Sequence, residues 1–506
     1  MHRSSLALVA ALTLTATITA CTDSKPNSTN ATDNAGTDNA GTDNTTGSPT
    51  DNFEFQPFGA DGVESGHLQV PIDYGNPSLG TIDLYVTRHL ADDPAQRIGS
   101  LLVNPGGPGF GGSDFAIYAN QIYSQALLDR FDIVAWDPRG TGLSEPAIDC
   151  VDNYDLYFTN TDITPDDDSE RQQLIDLAQE FADACVSKNA DLLPYVGTNN
   201  SARDMDAIRQ ALGEDKISYF GFSYGSELGA TWATLFPETV RAAVLDGAAD
   251  PNADFIESGL QQSAGFEGSI ATFLAQCSDD VSCSFHNGGD AEGSFDVLMA
   301  DLDENPIPTV DGRPYLSRAM ALTGVAEAMY TETRWPELAA ALSDAQDGDG
   351  NGLLALYDSY YVRQPDGSYD NSLEAFQVIV CADDSERLTV AEDDATAEQY
   401  TAVAPRFAPG TTGSYFCTFF PAAQDPRVTI TGNGAGPILV MGTTGDPSTP
   451  LESSRNMADA LEDGRFVIVT ADQHTGYGVN QCSYDVIDNY LIDPVADAPE
   501  DGFTCE

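Results

Sequence analysis

Ser223 stands between Gly221 and Gly225 in the stretch YFGFSYGSELGA, residues 219–230, directly after an apolar run. A serine flanked in this way is either part of a plain tight turn or a nucleophile. The pattern G-x-S-x-G becomes a nucleophile elbow when a strand precedes it and a helix follows. The turn is then so sharp that side chains at the glycine positions would clash, and the serine is lifted to its tip. Such a serine needs a base, and the chain has five histidines: His2, His67, His89, His286 and His474. His2 falls in an N-terminal apolar segment, His67 and His89 in early strand-like runs, and His286 beside Cys283. Those four read as structural. His474 follows a buried strand-like run in VTADQHTGYG, in a loop able to reach over the edge of a sheet. An imidazole base needs an acid to fix its tautomer and stabilise its cation. Asp446 fits, in ILVMGTTGDPSTP, although an Asp-Pro turn would also account for it.

An anion-stabilising element is present as well. NPGGPG, residues 104–109, follows another apolar run. The N–H of Gly107, with that of Tyr224 at the start of a helix, would bind a tetrahedral oxyanion. A glycine-rich loop could instead cradle phosphate, but no G-K-[ST] follows it and no dinucleotide fingerprint occurs. The chemistry implied is acyl transfer through a serine ester, with no cofactor and no metal. The order Ser223, Asp446, His474 is that of α/β-hydrolases.

These residues need a sheet to hold them. HLQVPIDY and TIDLYVTRHL read as an opening antiparallel pair, with Ile82, Leu84 and Val86 alternating. SLLVN, FDIVAW, KISYFGF, RAAVLDG, GPILVMG and RFVIVT are continuous apolar runs separated by helical patterns. That alternation predicts an α/β fold, a mostly parallel central sheet flanked by helices. Residues 251–435 lack such runs and include the helix-like PELAAALSDAQ and NGLLALYDSYY, so they predict a large, mainly helical cap over the carboxyl ends of the strands. The expected organisation is a signal at 1–21, a linker at 22–54, hydrolase core at 55–250 and 436–506, and the cap at 251–435.

Composition sets the surroundings. Asp and Glu total 80 against 21 Lys and Arg, a net charge of −59, which repels nucleic acid and suits a saline habitat. With 41% apolar residues the chain can bury a large core, and it is expected to act as a monomer. The segment LALVAALTLTATITA after Arg3 is too short to span a bilayer and right for a signal peptide. It ends at Cys21, where ITAC resembles a bacterial lipoprotein site, so a lipid anchor to the outside of a membrane is expected. The polar NAGTD-rich run that follows reads as a flexible tether. Eight cysteines remain, an even number that argues for disulfides in an exported chain, although sequence alone permits 105 pairings. Pairing in chain order closes four local loops: Cys150–Cys185, Cys277–Cys283, Cys381–Cys417 and Cys482–Cys505. A further motif, DGDGNGLLALYD at residues 347–358, matches a calcium loop at Asp347, Asp349, Asn351 and Gly352, with Asp358 at the twelfth position. A polar turn between two helices is its plainer reading.

Taken together, NPGGPG, DPRGTGLS, GFSYGSELGA, GTTGDPSTP and the Cys-bracketed tail resemble the secreted tripeptidyl aminopeptidase-like serine hydrolases, relatives of proline iminopeptidases. The resemblance covers roughly residues 55–506. It implies a capped α/β-hydrolase that releases short peptides from free N-termini, with Ser223 as nucleophile, Asp446 as acid and His474 as base. Two departures bear on substrate preference. Many relatives have Gly-His-Gly where this chain has Gln473, His474 and Thr475. Proline iminopeptidases have His where this chain has Pro105. An exopeptidase must also pair the substrate ammonium with carboxylates, because a buried unpaired charge is costly. Asp383 and Asp384, beside Cys381, are the candidates. A carboxylesterase would use the same triad without that ammonium site, and a non-catalytic binding protein would need no intact triad.

Overall fold

The computed structural model describes residues 53–159, 163–165, 167–410 and 413–506. The expected signal, Cys21 and residues 22–52 of the linker lie outside the described residues. The strands are β1 (Gln56–Pro57), β2 (Val63–Pro71), β3 (Thr81–His89), β4 (Gly99–Asn104), β5 (Phe131–Trp136), β6 (Ile217–Phe222), β7 (Val240–Asp246), β8 (Ile438–Thr443), β9 (Gly464–Val469) and β10 (Phe503–Cys505). They form one sheet in the order β1-β2-β3-β5-β4-β6-β7-β8-β9-β10. β1 to β3 run antiparallel and join the sheet through β3 and β5. From β5 onward every neighbour is parallel. This is the expected α/β architecture.

The sequence patterns explain the two kinds of strand. β4, β5 and β8 are buried at every position, as strands covered on both faces must be. Successive residues point to opposite faces, so Leu101 and Val103 join Ile133, Phe220 and Val244 on one side of the sheet. Leu102 joins Val134, Tyr219 and Leu245 on the other. β2 mixes buried, half-buried and exposed positions, the mark of a strand near an edge.

Between β7 and β8 the described residues add no strand to the sheet. It builds helices instead, chief among them Phe255–Asp279, Ala291–Glu304, Arg318–Met329, Trp335–Gln346, Asn351–Tyr360 and Ser372–Asp383. The first opens on a capping box, with Asp254 accepting from the Glu257 N–H and Glu257 reaching back. Most of these helices share a core of their own, including Phe273, Phe295, Leu338 and Leu353. Ser372–Asp383 differs, since Ala375, Val378 and Ile379 pack into the same cluster as Leu102 and Trp136.

The four disulfides are the four expected in chain order. Crosslinks of this density belong to chains that fold in an oxidising compartment outside the cytoplasm. Cys482–Cys505 ties the helix Gln481–Ile492 to β10, a three-residue strand too short to have been read from periodicity.

The calcium-loop match does not survive folding. Residues 347–350 are a short turn, and the helix restarts at Asn351, so the second half of the motif is helical. Asp358 is turned to Arg313, whose guanidinium donates to both carboxylate oxygens at 2.6 and 2.7 Å. Among the described residues no group of three or more His, Cys, Asp or Glu is arranged to hold a metal ion.

Candidate active site

β6 ends at Phe222 and the helix Tyr224–Leu235 begins one residue later, leaving Ser223 alone at the corner. Its φ of 54° lies in a region that residues other than glycine rarely occupy. Two bonds hold it there: Ser223 N–H donates to the Asp246 carbonyl at 2.8 Å, and Ser226 N–H donates to the Ser223 carbonyl at 2.8 Å. The flanking glycines are obligatory on steric grounds. A Cβ on Gly221 would fall 2.2 Å from the Gly225 carbonyl oxygen, and one on Gly225 would fall 2.8 Å from the Asn104 carbonyl oxygen.

Asp446 lies just past β8 and His474 just past β9, both almost fully buried. His474 Nδ1 is 2.8 and 2.9 Å from the two Asp446 oxygens. The N–H groups of Ser448, Thr449 and Thr475 donate to the same carboxylate at 2.9, 2.8 and 3.2 Å. A carboxylate so surrounded keeps the Nδ1 proton on its own side and leaves Nε2 bare to accept one. Nε2 is buried with no protein partner, and His474 lines the same cavity as Ser223.

Asp246, a residue the sequence reading passed over, belongs to this assembly. Wholly buried at the end of β7, it accepts from the Gly476 and Tyr477 N–H groups at 2.7 and 2.8 Å, and so clamps the loop that carries His474. Burial pushes its carboxyl up to about 6, against the pull of those two N–H donors and of His474. The only signal in the sequence was an acid closing an apolar strand in RAAVLDG. Its neighbour Gly247, at φ 65°, lets the imidazole come close, because a Cβ there would lie 3.0 Å from His474 Cε1.

The glycine-rich loop after β4 lies against the elbow. Asn104 Oδ1 accepts from the Gly106 N–H at 2.9 Å. A Cβ on Gly106 would sit 2.9 Å from Ser223 Cβ and 3.2 Å from the Tyr224 nitrogen. Gly107 and Tyr224 line the cavity with Ser223 and His474, and Asp446 stands behind the imidazole. His67, His89 and His286 do not line it.

The cavity has a volume of about 1100 Å³ and continues under the helical insertion, where Tyr330, Tyr360 and Phe376 form part of its wall. Asp383 and Asp384 both line it. Asp383 accepts from the Thr198 N–H and hydroxyl, each at 2.6 Å, and the Thr198 oxygen is also 2.5 Å from the Tyr224 hydroxyl. Burial raises the Asp383 carboxyl to about 7 despite the Thr198 bonds. Glu227, one helical turn beyond Ser223, also faces the cavity and pairs with Arg427. Arg427 is the only Lys or Arg among the described residues of the lining.

Residues 99–285 match the alpha/beta hydrolase fold, and residues 405–505 match the TAP-like protein domain. The chain belongs to the α/β-hydrolase serine peptidases that carry this TAP-like region, and it is a serine hydrolase. It is 35% identical over 455 residues to the serine protease Hip1 of Mycobacterium tuberculosis, covering 85% of each chain. It is 36% identical over 443 residues to carboxylesterase B of the same organism, covering 84% of this chain and 83% of that one. It is also 29% identical over 467 residues to tripeptidyl aminopeptidase of Streptomyces lividans, covering 86% of this chain and 82% of the relative.

Proposed function

We propose that this protein is an exopeptidase that removes short peptides, tripeptides in particular, from free N-termini. The observation that carries the reading is the meeting, at one cavity, of an elbow serine with a bare imidazole nitrogen whose other nitrogen is held by Asp446. In this mechanism Ser223 Oγ attacks the scissile carbonyl as His474 Nε2 takes its proton. Asp446 stabilises the imidazolium, and the Gly107 and Tyr224 N–H groups stabilise the oxyanion. His474 then returns the proton to the leaving amine, and water attacks the Ser223 ester by the same route in reverse. Asp383 and Asp384 hold the substrate ammonium. The excess of carboxylates over cations in the lining supports a cationic ligand, as does the similarity to the Streptomyces tripeptidyl aminopeptidase. Residues 1–21 direct export, and a lipid on Cys21 anchors the enzyme to the outside of the membrane.

The test is a chromogenic panel of free and N-acetylated di-, tri- and tetrapeptides beside short-chain esters. The reading expects unblocked tripeptides to lead. Equal turnover of blocked peptides would indicate an endopeptidase. The 36% identity to carboxylesterase B favours a second reading, in which simple esters alone are turned over.

A further inference from the structure

We infer that the helical insertion is a working part of the acid–base pair, with Tyr330 as a positioning residue for His474. This rests on the reading of His474 as the base. Three contacts meet at the end of the helix Arg318–Met329. The Tyr330 carbonyl accepts from the His474 N–H at 3.0 Å. The Tyr330 ring meets the imidazole edge to face, 5.6 Å between centroids at 78°. Thr331 forms an antiparallel bridge with Gln473. A short strand-like seam therefore joins the insertion to the loop that carries the base.

The acid loop is gripped by a different helix of the insertion, Phe255–Asp279. Gln262 Nε2 donates to the Ser448 hydroxyl oxygen at 3.2 Å, and Gln261 Oε1 accepts from the Ser453 hydroxyl at 3.0 Å. Gly265 packs so tightly that a Cβ there would lie 2.4 Å from the Pro447 carbonyl oxygen. Ser448 is also a hydrogen-bonding partner of the Tyr330 phenol, and its own N–H donates to Asp446. Each loop is thus held from beneath by the sheet and from above by the insertion. Displacing a catalytic group by about 1 Å costs on the order of 10²-fold in rate, so this second anchorage matters to turnover. An insertion that swung outward along the Tyr330 seam would disarm the base until it closed again.

The test uses the full-length exported protein and the variants Tyr330→Ala, Tyr330→Phe and Gly265→Ala. For each, three rates are measured: inactivation by a small alkyl fluorophosphonate, hydrolysis of p-nitrophenyl acetate, and hydrolysis of an unblocked tripeptide. The two small probes react at Ser223 without needing the far walls of the cavity. For Tyr330→Ala, all three rates should fall by roughly 10²-fold, with kcat carrying the loss and a cooperative thermal transition retained. Both variants keep the backbone carbonyl that accepts from His474; Tyr330→Phe also keeps the ring, loses only the phenol's bond to Ser448, and should stay within about tenfold of wild type. Gly265→Ala should slow all three probes even if Tyr330→Ala fails to fold. Wild-type rates with the small probes in Tyr330→Ala and Gly265→Ala, with only the peptide KM raised, would overturn the inference and leave Tyr330 as cavity wall. Failure of the wild type to react at Ser223 is a separate result, which would overturn the hydrolytic reading and this inference with it.

Discussion

The elbow and the proposed acid–base pair are built in opposite ways. Ser223 is placed largely by its own turn: Gly221 has the Gly225 oxygen where a Cβ would go, Gly225 has the Asn104 oxygen there, and the strand and helix meet at one residue. Asp446 and His474 stand 28 positions apart and are held by pieces from further away still. Asp246 and Gly247 reach them from β7, and Tyr330 and Gly265 from the insertion. Local sterics, with one bond to the Asp246 carbonyl, place the proposed nucleophile, whereas long-range hydrogen bonds and close packing place the proposed base. Damage to the elbow should therefore appear as lost stability, whereas damage around the base should appear as lost rate in a protein that still folds.

The largest effect expected is on the base side. His474→Ala, or Asp446→Asn with its wrong tautomer, should lower kcat by roughly 10⁴-fold, with the thermal transition little changed. Near wild-type turnover in either variant would remove the residue from the mechanism. On the elbow side, Gly221→Ala forces a Cβ to within 2.2 Å of the Gly225 oxygen. Overpacking of this kind costs about 1–3 kcal/mol, to be read as a lowered denaturation midpoint. An unchanged midpoint with reduced kcat would break the contrast between the two regions.

Asp246→Asn sharpens it. The amide keeps the shape but offers one acceptor oxygen to two N–H groups, leaving one donor facing another. That loss amounts to about 1–3 kcal/mol of the loop's hold on His474, and it should appear chiefly in kcat. Steady-state kinetics with kcat intact and only stability reduced would make Asp246 merely structural.

What the sequence made legible follows the same divide. Ser223, with its glycines, could be read because its constraint is local, and Asp446 and His474 because each follows an apolar strand in the expected order. Asp246 could not, since its carboxylate acts on N–H groups 230 and 231 positions away. Tyr330 follows an apolar helix, and nothing in its local sequence marks a residue that meets His474. The calcium-like motif shows the same divide: its residue types match a loop, but the plainer reading as a turn between two helices holds, and Leu353, Leu354, Leu356 and Tyr357 bury a helical face that the spacing of the acids does not convey.

The smallest effect concerns pH. The unfolded chain ionises Asp383 near the ordinary 3.8, whereas the fold, by burying it, delays ionisation to about 7. Between those values the fold holds a proton that the unfolded chain has released, so this group's contribution to stability declines as pH rises through the window. Asp383→Asn should therefore gain melting temperature over wild type at pH 8, by on the order of a few degrees, and gain none at pH 4. Parallel melting curves across that range would contradict the assignment of Asp383 as a buried, late-ionising acid.

The central claim is that one locally built serine and one remotely held imidazole form a single hydrolytic centre. It is tested most directly by fluorophosphonate labelling with peptide mass mapping, on the wild type and on His474→Ala. One adduct per chain on Ser223, formed orders of magnitude more slowly without His474, is the predicted result. An adduct on another residue, or labelling of Ser223 at the same rate in His474→Ala, would contradict it.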